Sequence, residues 1–84
     1  MPPSSVNEPQ DFSITVFPNP VSSTLNVIFP TPIEQLYLID INGEIVFRET
    51  VTTDEIEIEV EAYPSGIYFL RTDDVSISGK FLKL

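Results

Sequence analysis

Four glutamates, Glu55, Glu57, Glu59 and Glu61, stand at every second position of one segment, with Ile56, Ile58 and Val60 between them. Clustered carboxylates are the raw material of a hard-cation site. On a strand, however, this spacing puts all four on one face and the three apolar residues on the other, which describes a solvated surface that also discourages edge-to-edge pairing. Two smaller oxygen clusters, Asp40 with Asn42 and Glu44, and Asp73 with Asp74, offer two or three ligands each. Calcium takes about six to eight, so both clusters read as turn chemistry and no metal is expected.

The residue inventory removes most other chemistry. The chain has no histidine and no cysteine, which rules out Ser-His-Asp and Cys-His triads, the usual zinc sites and any disulfide. An enzyme and a cofactor are therefore not expected. Thirteen acidic residues against four basic ones give a formal charge of -9, which repels the phosphates of nucleic acid and the headgroups of anionic lipid. No apolar run approaches the roughly 20 residues that span a bilayer, so direct membrane insertion is not expected either. Met1 directly before a Pro/Ser segment reads as a start placed inside a natural linker, with a larger cargo expected upstream.

The elements that position these residues are strands. Residues 1–10 hold three prolines, two serines and no hydrophobic period, the composition of a flexible linker, and the domain is expected to occupy 11–84. Residues 12–17 alternate, with Phe12, Ile14 and Val16 on one side, until Pro18-Asn19-Pro20 stops the ladder. Further strands are expected over 24–29, 34–40, 44–51, 55–61, 67–71 and 76–84. The apolar centres of 34–40 and 67–71 predict strands covered on both faces. Asn42-Gly43 predicts a two-residue hairpin turn with both residues at positive φ. Seven short strands without helical periodicity predict an all-β, immunoglobulin-like β-sandwich, mainly antiparallel.

The punctuation carries a further signal. Phe17-Pro18-Asn19-Pro20, then Asp40-Ile41-Asn42-Gly43, then Tyr63-Pro64-Ser65-Gly66-Ile67-Tyr68, then Lys80 with an apolar pair behind it, occur in that order. Over about residues 12–84 the chain resembles the type A C-terminal sorting domain of the type IX secretion system of Gram-negative bacteria. The family often ends in a Lys-Lys pair, where this chain has Gly79 before Lys80, with Lys83 later.

The resemblance implies a non-catalytic secretion signal fused behind a cargo protein, passing through the periplasm to the outer-membrane surface or the medium. The implied partners are the outer-membrane translocon with its shuttle proteins, and a sortase-like cysteine protease that commonly removes the domain. Lys80, Phe81, Leu82, Lys83 and Leu84 are the expected recognition residues, presenting backbone groups and two cations, so that deleting the last four should abolish export from a domain that still folds. On composition alone, Phe81 and Leu82 complete the sheet equally well, with Lys80 and Lys83 as solubilising edge charges. Pro18, Asn19, Pro20, Asp40, Gly43, Pro64, Gly66 and Tyr68 form the structural motif, with Tyr68 read as a core aromatic whose hydroxyl reaches the surface. An adhesion or carbohydrate-binding sandwich is the alternative, but it needs a row of exposed aromatics, and the chain has no tryptophan.

Overall fold

The computed structural model describes residues 13–84; the expected linker over 1–10, the boundary at Asp11 and the strand start at Phe12 lie outside the described residues. Seven strands run in the order β1 (Thr15–Phe17), β2 (Thr24–Ile28), β3 (Gln35–Ile39), β4 (Ile45–Thr50), β5 (Glu55–Glu59), β6 (Gly66–Thr72) and β7 (Ser78–Lys83). Among the described residues there is no helix. The strands form two antiparallel sheets, β1-β2-β5 and β4-β3-β6-β7, packed as a small β-sandwich with the strand count of an immunoglobulin-like domain.

Alternation decides which side chains meet between the sheets. Leu25 and Val27 of β2, with Ile58 of β5, face Leu36 and Leu38 of β3, Tyr68 and Leu70 of β6 and Phe81 of β7, all at most 5% exposed. Connecting segments close the ends of this core with Val21, Phe29, Ile33, Val51, Val60 and Ile77. Glu55, Glu57, Glu59 and Glu61 are all exposed, and the Thr24 hydroxyl donates to the Glu59 carboxylate across the β2–β5 pair.

Three sequence expectations are corrected. Strands β3 and β6 are central in their sheet, yet each is buried on one face only, with Tyr37, Ile39 and Phe69 half-buried and Ile67 exposed on the other. A two-layer domain has nothing to cover that second face. The hairpin between β3 and β4 has a three-residue loop, Ile41, Asn42 and Gly43, in which Gly43 N–H donates to Asp40 O, Asp40 N–H donates to Glu44 O, and Gly43 sits at φ +85°. The Asp40 carboxylate lengthens the turn by accepting from the N–H groups of both Asn42 (2.9 Å) and Glu44 (3.0 Å). The described part of the strand expected over 12–17 is not one strand: Ser13 bridges in parallel to Ser78 of β7, and only Thr15–Phe17 pairs with β2. The chain switches sheets there because Gly79 lets it approach closely. A Cβ at Gly79 would stand 3.2 Å from the Ile14 Cβ and 3.3 Å from the Ile14 oxygen.

At the end of the sheet away from the β3–β4 hairpin, the Asp73 carboxylate ties the β6–β7 connection to the start of β3, accepting from Glu34 N–H and Gln35 N–H, both at 2.8 Å. The Gln35 and Glu34 amides hold its carboxyl below the ordinary Asp value of 3.8. A carboxyl whose folded pKa lies below its unfolded one binds fewer protons in the folded state. Its stabilisation is therefore present above the unfolded pKa and lost as pH falls through the folded one. Asp73→Ala is expected to melt below the parent protein at pH 7, with the gap closing as pH is lowered from 3.8. Paired thermal melts across that range check this, and a gap of constant size would show that the carboxylate charge is not what holds the turn.

Candidate recognition site

Strand β7 pairs with β6 in a register that sets Phe81 opposite Tyr68 and Leu82 opposite Ile67. Odd positions therefore point into the sandwich and even ones away from it. Phe81 is 1% exposed, and its ring stacks on that of Tyr68 at 5.4 Å and 16°. Lys83 is 6% exposed and donates from Nζ to Tyr63 O (3.0 Å) and Leu84 O (2.9 Å). Its aliphatic stem lies along the core while its ammonium finds two carbonyl-type acceptors at the end of the sandwich. Lys80, Leu82 and Leu84 remain exposed. The expected pair of presented cations is thus reduced to one, because Lys83 falls on the inward parity.

The Pro18-Asn19-Pro20 segment lies against β7, 63 residues further along the chain. Asn19 Oδ1 accepts from Leu82 N–H at 2.9 Å. Val21 continues the contact, donating its N–H to Leu82 O and accepting from Leu84 N–H, both at 2.9 Å. Ile14 N–H donates to Ser78 O on the other side of this segment. The outer edge of β7 is consequently bonded within the domain at Ser78, Leu82 and Leu84, and strand addition along its whole length by a receptor is closed. An open groove of about 580 Å³ remains between β1 and β7, lined by Val16, Asn19, Phe69, Arg71 and Lys80 among others.

The other motif residues shape turns. Tyr68 is buried and donates its hydroxyl to Pro64 O at 2.7 Å, closing a ring around Gly66, which sits at φ +145°. The hydroxyl ends on a backbone oxygen four residues upstream, the geometry of a tyrosine corner. Tyr63 packs against the same ring at 5.7 Å, and burial followed by the neighbouring Tyr68 raises its phenol pKa. Tyr37 is half-buried, so the three tyrosines form no exposed row for stacking on sugars. One carboxylate oxygen of each aspartate in the two candidate cation clusters is engaged by the chain itself, Asp40 and Asp73 as described and Asp74 by Ser76 N–H and hydroxyl. Among the described residues no three acidic side chains converge on a possible metal position.

Every motif residue therefore either shapes a turn or braces β7. A family model described as the secretion system C-terminal sorting domain matches residues 15–83. The chain belongs to this family, the sorting domains of type IX secretion. No curated protein and no solved structure matches it. A sorting domain of this kind is a C-terminal secretion signal, not a catalytic unit, and it implies export to the cell surface or the extracellular space. Sequence reasoning missed Asn19 and Val21 as braces of the terminal strand. No local signal marks them, since the contact is made by chain folding over 63 residues.

Proposed function

We propose that the sorting domain is read in its folded form by the outer-membrane translocon and its shuttle proteins, through the outward side chains of the terminal strand, Lys80, Leu82 and Leu84. The observation that carries this reading is the division of labour along residues 80–84: Phe81 and Lys83 lock the strand into the sandwich while the intervening side chains face solvent. Unfolding would scatter these groups, so a receptor that needs their spacing also checks the fold. Within this reading the domain follows a cargo fused to its N-terminal side, crosses the periplasm and is commonly cut off by a sortase-like cysteine protease. It is the substrate of that machinery.

The test fuses residues 1–84 behind a periplasm-directed fluorescent reporter in a type IX-competent bacterium, with a translocon-deficient strain as control. Fluorescence on the surface or in the medium of the competent strain alone is expected. Leu82→Ser combined with Leu84→Ser should reduce that export about tenfold, with a melting temperature within about 3 °C of the parent because neither side chain is in the core. Retention of the unaltered fusion in the periplasm of both strains would sink the recognition reading. Undiminished export of the double variant would move recognition off this strand.

A further inference from the structure

The half-open face of the β4-β3-β6-β7 sheet has a composition unlike the rest of the domain. Cross-strand pairing sets Arg48 and Arg71 on either side of Tyr37, directly opposite it in both registers. One pair further along, Ile39 stands between Ile45 and Phe69, and Phe69 is in turn opposite Lys80. Beyond these lies the Ile67–Leu82 pair. Three of the chain's four basic residues are therefore on one face of a protein of charge -9. No position of these four strands on the parity of Tyr37 and Ile39 carries a carboxylate; Glu49, exposed on the edge strand β4, pairs with inward-facing Leu36. Within the described structure none of the three cations has a hydrogen bond or an ion pair, although eleven carboxylates stand elsewhere on residues 13–84.

Unpaired cations around apolar side chains fit a partner of opposite character. We infer that this sheet face docks a protein surface bearing carboxylates around an apolar centre, on a component of the export machinery. The inference rests on the recognition reading above and extends it from the terminal strand to β3, β4 and β6. A second copy docked face to face would set cations against cations, since a two-fold contact uses the same patch twice. Docking on the glutamate face of a second copy is a head-to-tail contact, opposed by -9 on each chain. An anionic glycan or lipid headgroup would use the three cations but leave Ile39, Ile67, Phe69 and Leu82 without apolar partners. The face measures on the order of 400 Å², half of a standard interface per partner. The groove beside Phe69, Arg71 and Lys80 provides adjoining area on the β1 side.

The test uses the reporter fusion of residues 1–84 and alters nothing in β7. Arg48→Gln with Arg71→Gln removes two positive charges, and Ser22→Glu with Ser23→Glu adds two negative ones on the exposed β1–β2 connection, outside the four-stranded sheet, as the control. Translocon-dependent export is expected to fall about tenfold in the first variant and to persist in the control, with both purified domains melting within about 3 °C of the parent. With p-benzoylphenylalanine in place of Ile67, irradiation of secreting cells should yield one discrete protein adduct, lost with the two arginines. Equal export of the arginine variant beside a working parent overturns this proposal alone. So does an adduct indifferent to the arginines, or label found only on glycolipid. Failure of the unaltered fusion to leave the periplasm removes the recognition reading, and the docking face with it.

Discussion

Phe81→Ala is expected to cost about 3–5 kcal/mol of unfolding free energy, against a total of about 4–12 kcal/mol for a chain of 84 residues. The ring is 1% exposed and stacked on Tyr68, which is itself fixed by its hydroxyl bond to Pro64 O. Tyr68 cannot relax into the space without giving up that bond, so the cavity stays open. Urea denaturation followed by circular dichroism measures the effect, and a loss below about 1 kcal/mol would mean that the core closes without the ring. The consequence reaches the function. Deleting the last four residues removes Phe81 and Lys83 together, so the truncated domain is expected to unfold, and lost export would then report lost folding. The burial of both side chains argues against a deletion that leaves the fold intact. Recognition has to be probed at the even positions, which the core does not use.

Much of the architecture was legible because it is local. The Glu55 to Glu61 alternation could be drawn on no helix, and prolines at 18, 20, 30, 32 and 64 bracket strands they cannot join. The site was less legible, for a reason visible in residues 80–84. Lys-Phe-Leu-Lys-Leu places an apolar residue and a lysine on each parity, so a period of two does not say which side faces the core. The register with β6 decides it, and register belongs to the whole sheet. The same limit applies to 34–40 and 67–71, whose apolar centres read as doubly covered. Their second face stays open because the domain has two layers, and a cation-flanked apolar surface results where a covered face was expected. Asn19 shows the opposite case. Its residue type marked a turn, but the strand it braces lies 63 positions away, beyond the reach of any window.

The two lysines of the tail offer the sharpest contrast in expected outcome. Lys83→Glu would bring a carboxylate to Tyr63 O and Leu84 O, two acceptors now served by the ammonium at 3.0 and 2.9 Å. A buried charge facing acceptors has neither solvent nor a donor, so a loss of about 3 kcal/mol or more is expected. Lys83→Met keeps the apolar stem and forfeits only the two hydrogen bonds, which places it near 1–2 kcal/mol, roughly. Lys80→Glu changes charge by the same amount on an exposed side chain and should stay within about 0.5 kcal/mol. Chemical denaturation of the three variants reads this order directly. If Lys83→Glu proves as benign as Lys80→Glu, the inward parity of position 83 is wrong and with it the separation of bracing from presenting residues. If the order holds while Lys80→Glu loses export from a stable domain, the cation acts on a partner and not on the fold. Folding and recognition are then carried by alternate residues of one strand, which ties export competence to the folded state.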